Sequence, residues 1–383
     1  MRRLRVGLNL VPIGERAGGV GSYAAELTAA LAARDDVEVH VFVGRDTPDT
    51  IVPRGIRAST ELPVRLSGPP LHLAAQFAAI PALALLRRLD VLHSPANAGP
   101  VRIPGIASVV TLHDTIWARA PADWGTASAV RSMYRVALPT ARRADRVIAG
   151  SGHAAADLRA LFGLPADRID VIHHGVRADP SAPATDEREL RARLGLGDAP
   201  VILCVAQKRP YKNQEVLVRA LADERLARAR LVLPGAPTPY EARLRELAEE
   251  LGVGHRLLLP DWLPDPDLEG LYRLATCCAI PSRLEGFGLP VLEAMARAVP
   301  VACSDRTALP EVAGEAALLF DPDEPAAVVD ALARLLGDPE LRRALSARGV
   351  ARAARFTWAA AAEATVASYR SAFAQRRAAS GSL

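Results

Sequence analysis

Near-continuous apolar runs alternate with amphipathic helical stretches along the whole of this 383-residue chain. In the first half the runs are RVGLNL, VEVHVFVG, DVLHSP, ASVVTLHD, DRVIAGS and IDVIHHG. SYAAELTAALAA, AVRSMYRVALPTARRA and HAAADLRALFG are among the helical patterns between them. In the second half the runs are PVILCVAQ, ARLVLPG, HRLLLPD, CCAIPS, VPVACSD and AALLFD, again with helical patterns between. Strands that are apolar on both faces belong to parallel sheets covered by helices on both sides. Two such series predict an α/β chain of two doubly wound, Rossmann-like domains, and the length is enough for two cores. Ligands of open parallel sheets bind outside the carboxyl ends of the strands, so the expected site is a central cleft that both domains face.

VRADPSAPATDEREL, from Val176, breaks the alternation. It is rich in Pro, Ala and Asp without an apolar period, and it reads as a linker. The expected division is a first domain over 1–178, a linker over 179–190 and a second domain over 191–356. A terminal helix over 357–383 has no strand after it and is expected to pack back on the first domain, with AASGSL frayed.

Half of the residues are hydrophobic and 23% are charged, as in ordinary globular proteins. The net charge is +4, but the basic residues are spread and aromatics are only 4%, which argues against nucleic acid as a partner. Cys204, Cys277, Cys278 and Cys303 lie in apolar strand-like runs without metal-ligand spacing, and are expected as buried thiols of a cytoplasmic protein. The apolar run in MRRLRVGLNL is too short for a signal segment and reads as a first strand. No stretch reaches the ~20 apolar residues of a membrane span. HLAAQFAAIPALALLRRL, from His72, is interrupted by Gln76 and Pro81 and reads as a core helix or a membrane-facing one.

Four stretches carry candidate chemistry. PSRLEGFGLPVLEAMA places Glu285 and Glu293 eight residues apart across a Gly-rich turn leading into a helix. Pro290 suits the first helical turn, and Glu293 is expected in that same turn. Helix N-termini offer unpaired amides, here from Gly286 to Leu289, to an anion. Two carboxylates accepting from hydroxyls beside phosphate donors describe a nucleotide-sugar site; taken alone, the same spacing also suits a turn and a dipole partner. AGGVGSYAAEL, from Ala17, can be written G-x-G-x-x-A over Gly19, Gly21 and Ala24. The glycines do not follow the first strand directly, which removes the dinucleotide reading. A glycine loop over a phosphate and a plain turn before a helix both remain. VVTLHDTIW ends a strand with His113 and Asp114; a strand-end histidine can equally be satisfied by local hydrogen bonds. VAQKRPYKNQEVL gathers Lys208, Arg209 and Lys212 after a strand, with Asn213 placed to cap the next helix. This is either a diphosphate clamp or a solvated basic turn, and its place at the ligand edge favours the clamp.

These stretches, with VIAGSGHAAADL, VIHHGV and LPEVAGEAALLFDP, resemble the retaining glycosyltransferases of family 4, which have the GT-B fold. The resemblance spans nearly the whole chain. It implies that Glu285 lies by the donor sugar and that Glu293 holds the nucleotide ribose. It also implies that the amides around Phe287, Gly288 and Leu289 touch sugar and diphosphate, and that Lys212 is the diphosphate lysine. Gly19 would belong to the loop over the phosphates, and His113 would lie near the sugar O6 and the reacting centre. Gln207 stands where many members carry arginine, and Ala206 replaces a glycine, so Arg209 or Lys208 would supply the second cation.

The implied reaction is retaining transfer of a hexose from a nucleotide sugar, by front-face attack aided by the leaving phosphate, with no catalytic metal and no other cofactor. GDP-mannose is the favoured donor, with UDP- and dTDP-sugars as alternatives. The acceptor would be a glycan, a lipid-linked molecule or a small molecule bound by the first domain, with Asp114 as a contact. The expected location is cytoplasmic, with peripheral membrane contact through the apolar helix and Arg87 and Arg88 as an option. A dehydrogenase would need its glycines elsewhere, and a two-lobed solute-binding protein would need an export signal.

Overall fold

The computed structural model describes residues 2–14, 18–53, 56, 58–65, 74–177, 179 and 181–380. The chain forms two compact units: Met1–Pro121, Gly125–Gly175 and Phe356–Leu383 in one, and Ala122–Trp124 with Val176–Arg355 in the other.

The first unit is built on seven strands: β1 Leu4–Asn9, β2 Val37–Gly44, β3 Ala58–Leu62, β4 Val91–Ser94, β5 Ala107–Leu112, β6 Arg146–Ala149 and β7 Ile169–Val171. All pair in parallel, in the order β3-β2-β1-β4-β5-β6-β7. The order reverses between β1 and β4, which is the switch point of a doubly wound sheet. Two buried layers cover the sheet. One gathers Leu8, Tyr23, Leu27, Val109 and Ile148 with Ala362, Val366 and Tyr369 of the terminal helix Trp358–Ser380. The other gathers Phe42, Leu62, Ile80, Leu92 and Ile103. The terminal helix thus completes the first unit. Its entry is tight: a methyl group added at Gly175 would meet the Trp358 backbone nitrogen at 2.3 Å.

The second unit holds β8 Val201–Leu203, β9 Arg230–Val232, β10 Leu257–Leu258, β11 Cys277–Ile280, β12 Val301–Ser304 and β13 Ala317–Phe320. They too are parallel, in the order β10-β9-β8-β11-β12-β13, with the reversal between β8 and β11. All four cysteines are buried and unpaired in this sheet or at its strand ends.

Several elements differ from expectation. β3, ASTEL, lacks an apolar run because it is an edge strand with alternating exposure, and only Leu62 is buried. Glu187–Leu194 is a helix that begins within the expected linker, 179–190, and runs four residues past its end. Asp186 caps it through the amides of Arg188 and Glu189, and Leu190 alone is buried, so a single anchor left no period to detect. Pro339–Ala353 is a further helix, capped by Asp338. In the run from His72, His72 itself lies outside the described residues. Ala75–Ala79 is a π-helical turn that leads into a helix over Ile80–Leu86, with Pro81 in its first turn. Gln76 points inward and accepts from Asn9 Nδ2 at 3.0 Å. No helix among the described residues is long and apolar enough to cross a membrane.

Candidate functional site

In the second unit the candidate residues gather at the carboxyl ends of β8 and β11, the two strands flanking the switch point. The chain after β8 makes a 3-10 turn over Pro210–Lys212. Lys212 Nζ reaches Glu285 Oε1, in the turn after β11, at 2.6 Å. Both side chains are largely shielded, at 14% and 9% exposure. Ser282 Oγ donates to the same carboxylate oxygen at 2.8 Å, and the Glu285 amide donates to Thr307 Oγ1 at 3.0 Å. Thr307 takes a left-handed backbone, φ 56°, a costly choice for a β-branched residue and one that points to a local constraint.

Gly288 follows at φ 108°, where a side chain would be strained and would meet Leu309 Cδ2 at 2.7 Å. The helix Leu289–Ala296 begins there, with Pro290 in its first turn as expected. Among the described residues the amides of Gly288 and Leu289 have no hydrogen-bond partner, so two donors point out of the helix start. The Phe287 ring is buried and anchors the turn. Glu293 lies in the second turn of this helix rather than the first, because the helix starts only at Leu289. The dipole-partner explanation for Glu293 is weakened accordingly. Its Oε2 accepts from Tyr272 at 3.0 Å, and burial raises its pKa against the lowering effects of Tyr272 and Arg297. Arg297 stacks on the Tyr272 ring at 4.8 Å.

The basic cluster separates into three roles. Lys212 faces Glu285. Arg209 is half-buried, and its guanidinium has no hydrogen-bond or ion-pair partner among the described residues. Lys208 departs from expectation. It is fully buried, and its Nζ donates to Gly235 O at 2.6 Å and Pro260 O at 3.2 Å, with Glu241 at 3.4 Å. Burial lowers its pKa against the pull of Glu241. Its ammonium ties the loops after β8, β9 and β10 together, leaving no charge to present to a ligand. Asn213 does not cap the next helix. Its left-handed backbone, φ 55°, turns the side chain to Pro322 O at 2.8 Å. Gln207 is exposed, and its carbonyl accepts from buried Gln214, which also receives the Arg209 amide.

In the first unit, His113 follows β5. Its Nε2 donates to Pro95 O at 2.7 Å, and its amide donates to Asn97 Oδ1 at 3.0 Å. Burial lowers its pKa to about 4, against the raising effect of Pro95. The ring is therefore neutral near pH 7, and Nδ1 is left as an acceptor with no partner among the described residues. Tyr23 packs edge-on against it at 4.7 Å. The local-satisfaction reading of His113 holds for Nε2 and not for Nδ1. Asp114 accepts from the Ile116 amide at 3.0 Å, starting a short helix. Gly19 lies within the first turn of the helix Gly18–Ala32 rather than in a loop; Ala17, where the expected loop begins, lies outside the described residues.

A buried relay behind His113 carried no sequence signal. Tyr369 of the terminal helix meets His93 Nδ1 at 2.7 Å, and His93 Nε2 meets Thr111 Oγ1 at 2.8 Å. Thr111 meets Tyr23 at 2.9 Å. Burial lowers the His93 pKa to about 3. His93 and Tyr369 are 276 positions apart, so only the fold joins them. Ser282, Thr307, Asn97 and Tyr272 also contact candidate residues. Ser282 lay inside the Glu285 motif; the others had no pattern to mark them.

Comparison with known proteins defines the class. Residues 186–352 match the model for glycosyl transferases group 1, and residues 17–179 match that for glycosyltransferase family 4. The chain is 33% identical to a D-inositol 3-phosphate glycosyltransferase of Acidothermus cellulolyticus, over 94% of this chain and 87% of that protein. It is 31% identical to the O-antigen chain mannosyltransferase B of Escherichia coli, over 92% and 96%. In fold it resembles the sucrose-phosphate synthase of Thermosynechococcus elongatus, with TM-score 0.77 at 24% identity over 97% of this chain and all of that one. It also resembles Anabaena HepE in complex with UDP and glucose, with TM-score 0.74 at 20% identity over 96% and 100%. The two Rossmann-like units are of the GT-B type. The chain belongs to glycosyltransferase family 4.

The buried histidine makes a pH prediction. Its unfolded pKa near 6.5 exceeds the folded value of about 4, so the unfolded state binds more protons between them. Stability is complete above pH 6.5 and is lost as the pH falls toward 4, with His113 contributing up to about 3 kcal/mol. Urea unfolding at stepped pH should show this slope, which buried His93 shares, and His113→Gln should make it shallower.

Proposed function

We propose that this protein is a retaining hexosyltransferase that takes its sugar from a nucleotide donor, with GDP-mannose the first candidate. The observation that carries the reading is the Lys212–Glu285 pair beside the unpaired Gly288 and Leu289 amides, at the switch point of the second sheet. A diphosphate needs donors and positive charge, and a sugar needs acceptors that read its hydroxyls. The amides, Lys212 and Arg209 meet the first need. Glu285 meets the second, with its carboxylate oriented by Ser282 and Lys212. Glu293 Oε1 has no partner among the described residues and suits a ribose hydroxyl. Neutral His113 accepts a sugar hydroxyl at Nδ1.

As the glycosidic bond to phosphate breaks, negative charge grows on the departing diphosphate. Fixed donors aimed at that charge stabilise the transition state without reorganising. In this reading the leaving phosphate takes the acceptor proton on the same face, so neither glutamate is a nucleophile. That differs from retaining hydrolases, where a second carboxylate attacks. The work falls to amides and cations, with no metal assigned; activity retained in EDTA checks this, and metal-dependent turnover contradicts it.

Mannose as the transferred sugar is supported by the relationship to an O-antigen mannosyltransferase; the GDP carrier is part of the proposal itself. A UDP-sugar is the second reading, because Anabaena HepE, which shares the fold, was solved with UDP-glucose. A thermal-shift panel of GDP-mannose, UDP-glucose, UDP-GlcNAc and dTDP-rhamnose separates them; stabilisation by none of the four would count against the donor site. The relatives are glycosyltransferases of the Family 4 type, and a cytoplasmic setting goes with that reading.

The two lysines predict opposite phenotypes. Lys208→Met should lower the unfolding free energy by about 1–3 kcal/mol through the unpaired carbonyls, with kcat nearly unchanged. Lys212→Met should cut kcat by about 10²–10³-fold. If Arg209 is the second diphosphate cation, Arg209→Ala should raise KM or lower kcat far more than Gln207→Ala; the reverse order would reassign that charge.

A further inference from the structure

The first unit carries a groove of about 460 Å³ that the donor chemistry does not use. One wall is the helical stretch from Ala75 to Leu86, which presents Phe77 and Leu85 to it. A second wall is the connection after β4, through Val101 and Ile103. A third is the helix Ala127–Arg143, through Val136 and Pro139. Phe77 is 43% exposed, Leu85 46% and the adjacent Leu86 79%, an unusual density of exposed apolar side chains.

Its rim is basic. Arg102, Arg135 and Arg143 line the groove, and none has a hydrogen-bond or ion-pair partner among the described residues. Many arginines elsewhere pair with carboxylates, as Arg119 does with Asp157 and Arg146 with Asp170, whereas these three converge on one groove without one. From Leu62 to Ala144 the chain has nine arginines and three aspartates, with no lysine or glutamate. Arg102 also holds a left-handed backbone, φ 60°, at the lip. An apolar floor with unpaired guanidiniums at its edge matches an amphiphile that carries a phosphate.

The groove also connects to the reacting side of the unit. The stretch after β4 first supplies Pro95 and Asn97 to His113 and then runs into the groove wall at Pro100. Thr140, on the groove floor, donates to Gly99 O at 3.2 Å and fixes that stretch.

We propose that the groove receives the phosphate-bearing lipid end of the acceptor, with the apolar chain along the groove and the phosphate on Arg102, Arg135 and Arg143. This rests on the glycosyltransferase reading above and names its acceptor class. Dodecyl phosphate is the probe, titrated into the full chain by calorimetry below its micelle concentration. The expected result is saturable binding that Leu85→Asp and Arg135→Ala, both at exposed positions, each weaken by about ten- to hundredfold. Uncharged dodecyl maltoside and inorganic phosphate should each bind far more weakly than dodecyl phosphate. Equal binding of dodecyl maltoside, equal binding of inorganic phosphate, or full binding by Leu85→Asp would overturn the proposal. So would sedimentation with vesicles of phosphatidylcholine and phosphatidylglycerol without saturable dodecyl phosphate binding, since that marks a flat membrane contact. The nucleotide-sugar panel on the same variants reports on the donor site alone, so the two readings fail separately.

Discussion

A strand in a parallel sheet must return to the starting end before the next strand can pair with it, and here every return that the sheets require is a crossover on one face or the other. All thirteen strands obey this, which collects their carboxyl ends on one edge of each sheet. The edge is short of partners wherever the strand order reverses, because adjacent loops diverge there. In the second unit that gap lies between β8 and β11. Lys212 and Glu285 come from the two loops that flank it and meet across it. The site is a consequence of the sheet order.

The loops at that edge need holding, and a buried cation does it. Lys208 ties its own loop to two others through the carbonyls of Gly235 and Pro260, and Gln214 pins the backbone between Gln207 and Arg209. With this backbone set, Arg209 remains without a partner among the described residues and Lys212 faces the carboxylate. Three basic residues within five positions thus divide into one that builds the loop and two that suit a ligand. The first unit repeats the logic with neutral groups. His93, Thr111, Tyr23 and Tyr369 form a buried relay, and burial keeps His93 and His113 uncharged. The terminal helix thereby reaches the surroundings of His113 as well as closing the core.

Much of this was legible in the residues. Apolar runs on both faces of each strand announced two parallel sheets, and twelve of the thirteen strands coincide with such runs. The exception, β3, is an edge strand with one buried side chain. Glu285 and Lys212 were legible because their motifs follow strands directly. Lys208 was not, since its neighbours in sequence do not reveal which carbonyls lie within reach of a long side chain. Glu293 lies one turn further into the helix than its spacing suggests, because the start of the helix depends on Gly288 and its left-handed backbone. Gly19 looks like loop by composition, yet the helix begins at Gly18.

The chain by itself determined the two-domain parallel architecture, the burial of its cysteines, and the stretches that hold Glu285, Glu293, Lys212 and His113. Those are local properties, set by hydrophobic period and by residue type after a strand. Tertiary structure alone decided which cation faces which anion, which ring nitrogen of His113 is left to accept, and which arginines go without partners around the groove. Each of those depends on contacts between residues distant in sequence, as with His93 and Tyr369, and no local pattern encodes them.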